Sequence, residues 1–261
     1  MTFKIARAGI AVIACGLVLA GCTRIRDHQG YILDDTLVTA IQPGVDNRES
    51  VQTTLGRPTV TGLENVPKTG GFIVASNHLS FLDSVILQAL MPRMVHFFAK
   101  SEYFTQPGLK GRVMKGFFES VGSIPVQRDQ QAASVAALDQ LVGLVEAGAG
   151  VGIYPEGTRS RDGRLYKGRT GVGWLALATG MPVVPVGLRG TDRLQPPGTN
   201  RVVPHHFSLT VGEPLQFEHL GRRHPLPPRK QATAQVMDAI AALSGQERAE
   251  QYNAPVGGPR D

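Results

Sequence analysis

From residue 72 onward, short apolar runs rich in β-branched residues alternate with stretches of helical periodicity. Residues 72–75, 95–99 and 123–126 read as strands. Residues 151–154 and 183–186 are continuous apolar runs of the kind found in sheets covered on both faces. Residues 81–90 predict a helix stopped by Pro92. Residues 132–147 predict an amphipathic helix, with Val135, Leu138, Leu141, Val142 and Val145 on one face and Gly148 behind it. A helix over 171–179 separates the last two buried runs. Beyond them, 207–211 predicts a late, edge-like strand and 221–230 a Pro- and Arg-rich linker. Val236, Ile240 and Leu243 mark one face of a short C-terminal helix, and the tail after Asn253 is expected to be disordered. The alternation predicts an α/β layer fold, its sheet mixed and largely parallel and flanked by helices.

The first sixty residues follow another pattern. Lys4 and Arg7 precede an apolar stretch over 8–20 that ends in Leu19-Ala20-Gly21-Cys22, a lipobox. A run this short falls below the roughly 20 residues that span a bilayer as a helix. Residues 1–22 therefore read as a lipoprotein signal with Cys22 as the lipidation site, the alternative being an uncleaved, tilted anchor. Gly30-Tyr31-Ile32-Leu33-Asp34, Ile41-Gln42-Pro43-Gly44-Val45, Arg48-Glu49-Ser50-Val51 and Leu55-Gly56-Arg57-Pro58-Thr59 follow. They suggest a turn and a helix, with Asp46 as N-cap, Glu49 as its capping-box partner and Gly56-Pro58 as the stop. This segment resembles the start of the small outer-membrane-assembly lipoproteins of the SmpA/OmlA type. The resemblance covers about the first half of such a domain, and another pattern takes over near Thr61. The expected organisation is a signal segment (1–22), a partial SmpA/OmlA-like segment (23–61), a catalytic body (62–220), and a linker, helix and tail (221–261).

Composition narrows the chemistry. The 261 residues carry a net charge of +6, with 42% hydrophobic and 18% charged positions, as in ordinary globular proteins. Two cysteines, Cys15 and Cys22, can build neither a disulfide framework nor a four-cysteine zinc site. The basic balance favours anionic partners: phosphorylated small molecules, an acidic membrane surface or nucleic acid. No interleaving of basic and aromatic residues supports nucleic acid, which is set aside.

Two motifs carry candidate chemistry. In Asn77-His78-Leu79-Ser80-Phe81-Leu82-Asp83, His78 has the side chain whose ordinary pKa suits a general base near neutrality, and a carboxylate on its other nitrogen would fix the tautomer. Residues five apart on a helix point about 140° from each other. His78 and Asp83 can therefore meet only if His78 lies in a loop and the helix begins near Ser80. The plainer reading makes Ser80 and Asp83 a capping box and His78 a surface residue. Such spacing arises by chance in roughly three of ten sequences of this composition, so alone it decides little. The second motif, Tyr154-Pro155-Glu156-Gly157-Thr158-Arg159-Ser160, follows a buried strand, at the end where open α/β sheets bind ligands. Gly157 permits close backbone approach, Arg159 offers a planar fork suited to phosphate, and Lys167-Gly168 precedes a helix. Its plainer reading is a polar turn. Gly148-x-Gly150-x-Gly152 precedes a strand and so is discounted as a dinucleotide loop. His205-His206 reads as a solvent-facing turn, and no metal site is expected.

Taken in order, Asn77 to Asp83, Gly122 to Arg128, Tyr154 to Ser160 and Val183 to Val186 match the four blocks of the glycerolipid acyltransferases. The chain resembles the 1-acyl-sn-glycerol-3-phosphate acyltransferases over about 62–251. The resemblance implies that His78 and Asp83 are catalytic. It implies an acceptor site of Asn77, Lys100, Arg128, Glu156, Gly157, Thr158, Arg159 and Lys167, and an acyl pocket shaped by Pro185. Acyl-CoA or acyl carrier protein would be the co-substrate, with no other cofactor, and lysophosphatidate and the membrane surface would be partners. Phosphatidate synthesis is the implied activity; an outer-membrane-assembly interaction module is the alternative. The chain departs from the family where an N-terminal membrane-docking segment is replaced by the lipoprotein-like start. It also has Pro125 where an aromatic is usual. Acyl thioesters are cytoplasmic whereas a processed lipoprotein is exported, so the expected location is a membrane, on either side.

Overall fold

The computed structural model describes residues 55–120, 122–126, 131–195, 202–220 and 225–253. Among these, seven strands form one sheet: β1 (Pro58–Thr61), β2 (Phe72–Ser76), β3 (Val95–Lys100), β4 (Ile124–Val126), β5 (Gly150–Ile153), β6 (Val183–Arg189) and β7 (Phe207–Val211). Their order is β1-β7-β6-β2-β5-β3-β4. All neighbours are parallel except β6 and β7, where Val186 lies opposite Val211. The predicted mixed, largely parallel sheet is thus observed.

The helices follow from the connections. α1 (Asp83–Leu90) joins β2 to β3, and α2 (Glu102–Thr105) and α3 (Gly108–Ser120) join β3 to β4. α4 (Gln131–Glu146) leads to β5 and α5 (Gly171–Thr179) to β6. The short α6 (Thr191–Leu194) follows β6, and α7 (Leu226–Ser244) closes the domain. The chain leaves β2 toward β3 but leaves β5 toward β6, so these adjacent strands send their crossovers in opposite directions. Right-handed crossovers running opposite ways must lie on opposite faces of the sheet. The cores confirm this. Phe72 and Val74 of β2 face α1, Tyr103, Met114 and Phe118, while Ile73 and Ala75 face α4, α5 and α7. The crevice between the carboxyl ends of β2 and β5 is therefore where an open α/β sheet binds ligands.

Gly150 and Gly152, set aside as a nucleotide loop, have a packing role. A Cβ on Gly150 would lie 2.4 Å from the Phe72 ring, and one on Gly152 would lie 2.2 Å from the Phe97 ring. The glycines leave room for two buried aromatic side chains on neighbouring strands.

Four expectations change. Residues 207–211 are not an edge strand: β7 lies between β1 and β6, and the edge is β1, which sequence reasoning left unassigned. The α1 helix begins at Asp83 rather than at 81, because Ser80 to Asp83 form a turn closed by Asp83 N–H donating to the Ser80 carbonyl. The segment read as a linker over 221–230 enters α7 at Leu226, where Pro227 suits a first helical turn that has no intrahelical donor to lose. Finally, α7 packs Ala232, Val236, Met237 and Ile240 into the core, so boundaries of 62–220 omit both β1 and a core helix. Asp46 and Glu49 lie outside the described residues. His206 accepts or donates at Thr59 Oγ1, 3.0 Å away, joining the β7 approach to β1. No described helix is long and apolar enough to cross a membrane.

Candidate active site

Ser76 ends β2, and the next residues turn out of the sheet toward the β5 loop. His78 lies in this turn and not in a helix, which removes the angular obstacle to its meeting Asp83. Nδ1 of His78 is 2.9 Å from Oδ2 of Asp83, the histidine 14% exposed and the aspartate fully buried. The same Oδ2 accepts the N–H groups of Leu79 (2.7 Å) and Ser80 (2.8 Å). The two readings of Asp83 are therefore compatible. It performs the carboxylate half of a capping box and holds the imidazole at once, while Ser80 Oγ accepts from Leu82 N–H instead of Asp83 N–H. An ionised carboxylate only accepts, so Nδ1 carries the hydrogen and Nε2 keeps its lone pair.

Tyr154, the first residue after β5, stacks on the His78 ring at 3.9 Å between centroids and 9° between planes. Its hydroxyl is 2.8 Å from Ser84 Oγ. The imidazole is thus held in plane by Asp83 and from one face by Tyr154. Tyr154 belongs to the second sequence motif, but a stacking partner 76 positions away leaves no local signal of its role.

Glu156 differs from the role implied for it. It is fully buried, and its oxygens accept backbone N–H groups from His78 (3.1 Å) and Tyr166 (2.9 Å). It clamps the histidine turn to the loop after β5, rather than presenting an oxygen to an acceptor. Burial raises its pKa from 4.5 to about 7, against the two backbone donors, which favour the charge. Asn77 differs as well. Fully buried, its side-chain amide donates to the Leu188 carbonyl (2.9 Å) and its Oδ1 accepts from Leu188 N–H (2.8 Å), extending the β2–β6 pairing by one side chain. The amide also donates to Gln246 Oε1 at 2.7 Å. Asn77 fastens the turn and has no remaining face for substrate.

The cations gather beyond Gly157, whose φ of +77° is one that only glycine adopts without strain. A Cβ there would meet Arg169 Nε at 2.9 Å, so the missing side chain also makes room for that guanidinium. Arg159 is half-buried; burial and the nearby Arg161 charge lower its pKa from 12.5 to about 10. Lys167 is exposed, with Nζ 5.6 Å from the Tyr252 ring centroid. Asp162 organises the loop between them. Burial opposes its charge, but hydrogen bonds from Arg164, Tyr166 and Ser160 outweigh this and lower its pKa to about 2.

Of the remaining expectations, Thr158 is half-buried beside Arg159, and Lys100 is the last residue of β3. Arg128 and Cys22 lie outside the described residues. Pro185 is buried within β6, paired with Ala75 and covered by Gly212. Sequence reasoning missed Arg169, although it follows Lys167 by two residues. It also missed Gln246, Tyr252 and Asn253, which reach the site only through the fold.

The chain is similar to known proteins. The model of the family described as Acyltransferase matches residues 57–189. The model described as Outer membrane protein assembly factor BamE domain matches residues 30–68. The chain is 36% identical over 147 residues to 1-acyl-sn-glycerol-3-phosphate acyltransferase BAT2, chloroplastic, of Brassica napus, a match covering 56% of this chain and 41% of that protein. It is 28% identical over 182 residues to the Bacillus subtilis (strain 168) 1-acyl-sn-glycerol-3-phosphate acyltransferase, covering 68% and 81%. The chain spans about two fifths of the length of the plant relatives (41% and 43%). The crystal structure of the 1-acyl-sn-glycerophosphate (LPA) acyltransferase PlsC from Thermotoga maritima aligns with a TM-score of 0.57 at 28% identity, covering 75% of each chain. With the family model spanning half of its length and the histidine–aspartate pair in place, the chain belongs to the acyltransferase family.

Proposed function

We propose that the protein transfers a fatty acyl group from a thioester to the free hydroxyl of 1-acylglycerol-3-phosphate, giving phosphatidate. The carrying observation is His78, its Nδ1 held by Asp83, its ring held by Tyr154, and its Nε2 left as the base. Nε2 takes the hydroxyl proton as the oxygen attacks the thioester carbonyl. The new C–O bond forms, the C–S bond breaks, and the imidazolium returns its proton to the departing sulfur. Asp83 stabilises the imidazolium while it exists. Arg159 suits the acceptor phosphate, because a guanidinium disfavoured by burial and a neighbouring cation gains most from a bound anion. Lys167 lies on the same loop; Lys100 and Arg128 are assigned to this site by family resemblance. The acyl thioester, acyl-CoA or acyl carrier protein, is the co-substrate, and no other cofactor takes part. The membrane is the surface on which both lipids meet the enzyme. Leu109 (71% exposed) and Val113 (44% exposed), one turn apart on α3 with exposed Arg112 and Lys115 beside them, suit an anionic lipid surface.

The test is acyl transfer from labelled acyl-CoA, or acyl carrier protein, to lysophosphatidate by the purified chain. His78→Ala should lower turnover about 10²–10⁴-fold, the usual range for a general base. Unchanged turnover would sink the mechanism.

A second reading rests on the match of residues 30–68 to the BamE domain. Under it, the N-terminal segment is a lipoprotein interaction module attached through Cys22, and the body is cargo. Co-purification with an outer-membrane assembly complex, without acyl transfer in any membrane fraction, would favour this reading. Accumulation of an unprocessed form under globomycin would establish lipidation at Cys22.

A further inference from the structure

The residues described beyond α7 stay with the domain. Residues 246–253 run back across the loops that carry the site, outside the region matched by the acyltransferase family model. Gln246 links the two loops: its Oε1 accepts from Asn77, the residue before His78, and its Nε2 donates to the Gly163 carbonyl at 2.7 Å. Backbone pairing continues along the segment. Leu165 N–H donates to the Glu247 carbonyl and Ala249 N–H to the Leu165 carbonyl, both at 2.8 Å; Lys167 N–H donates to the Gln251 carbonyl at 3.0 Å. Asn253 Nδ2 then donates to the carbonyls of Thr158 (3.4 Å) and Arg159 (3.0 Å), and the Asn253 carbonyl accepts from Arg169 Nη2 at 3.3 Å. The Tyr252 ring lies 5.6 Å from Lys167 Nζ and 5.8 Å from the Arg169 guanidinium carbon.

We propose that this C-terminal strap completes the binding site for the acceptor's phosphomonoester, with Lys167 and Arg169 as the phosphate-holding cations and Tyr252 and Asn253 as the residues that position them. Lys167 and Arg169 are exposed, and a long exposed cation samples many rotamers unless something holds it. Tyr252 supplies a π-face near both, and Asn253 takes one guanidinium N–H, leaving its other donors for a ligand. A guanidinium and an ammonium held near one ring bring two like charges together, and a bound anion relieves them. A phosphomonoester matches the pair in charge and, through Arg169, in bidentate geometry. This rests on the phosphorylated acceptor proposed above and adds Arg169, Tyr252 and Asn253 to the site in which the family resemblance had placed Lys167.

A cation over a partly exposed ring is stabilised by a factor of about two to five. With two cations near one ring, Tyr252→Ala should weaken phosphomonoester binding about fivefold to tenfold. Two measurements on the full chain test this. In calorimetric titration with sn-glycerol 3-phosphate, wild type and His78→Ala should bind alike, Tyr252→Ala and Arg169→Gln should bind several-fold more weakly, and Tyr252→Phe should restore wild-type affinity. In steady-state acyl transfer, Tyr252→Ala should raise KM for lysophosphatidate with little change in kcat or in KM for the acyl donor. Equal affinities in wild type and Arg169→Gln, no binding by wild type, or a loss in Tyr252→Ala confined to kcat would each overturn the proposal. Strap-dependent binding of glycerol 3-phosphate without any acyl transfer would instead sustain the site and refute the catalytic reading.

Discussion

Replacing Glu156 with glutamine should make the stability gap between variant and wild type depend on pH. In the wild type, two backbone donors, His78 N–H and Tyr166 N–H, point at the two carboxylate oxygens of a fully buried side chain. Its pKa is raised from 4.5 to about 7, chiefly by burial. Between these values the folded chain holds a proton that the unfolded chain has released, so stability falls as pH rises from 4.5 to 7. At about 1.4 kcal/mol per pKa unit, the whole loss is about 3 kcal/mol. Glutamine carries no charge and escapes this loss, but its amide nitrogen must face one of the two backbone donors. One buried hydrogen bond becomes a donor–donor contact costing about 1–3 kcal/mol at every pH. Chemical denaturation at pH 5 should therefore find Glu156→Gln less stable by about 2 kcal/mol. At pH 8 the gap should close or reverse. A gap of the same size at both pH values would refute the burial argument, and a variant as stable as wild type at pH 5 would refute the clamp.

Asn77→Ala should lower stability by about 2–5 kcal/mol, because it orphans both the N–H and the carbonyl of Leu188 within the sheet. A thermal melt unchanged by this substitution, together with a raised acceptor KM, would return Asn77 to the substrate site. Gly157→Ala should cost about 1–2 kcal/mol from its left-handed backbone and should also raise acceptor KM by displacing Arg169, 2.9 Å from the new Cβ. Gly70→Ala is its control, with φ +74° and no atom within 4 Å: stability should fall without any change in KM. Equal KM values in the two glycine variants would remove Arg169 from contact with the acceptor.

The elements legible in the chain were those whose burial is symmetric or strongly periodic. Residues 72–75 and 183–186 lie in the middle of the sheet, covered on both faces, so every position is apolar. β1 offered no such run, because Pro-Thr-Val-Thr alternates at a sheet edge and is a strand only through its pairing with β7. α3 contains Gly108, Gly111 and Gly116, poor helix formers, and is held by Met114 and Phe118 in the core rather than by propensity. Pro227 and Pro228 read as linker residues, though a first helical turn tolerates proline.

The histidine–aspartate pair divides along the same line. The order of the four sequence blocks singled out His78 and Asp83, and their spacing allowed a contact only with His78 in a loop, which is where it lies. Their neighbours' roles could not be read that way. Glu156 and Asn77 carry polar side chains that suit a substrate, and only their burial against Tyr166, Leu188 and Gln246 shows them to be fasteners. By itself the sequence determined the chemistry available, because side-chain type and short-range spacing set what can ionise, cap or turn. The tertiary structure alone decided which of those groups face each other, which remain open to a ligand, and that residues near 250 belong beside residue 167. Contacts between distant segments are set by how two faces of a sheet are covered, and local sequence does not encode them.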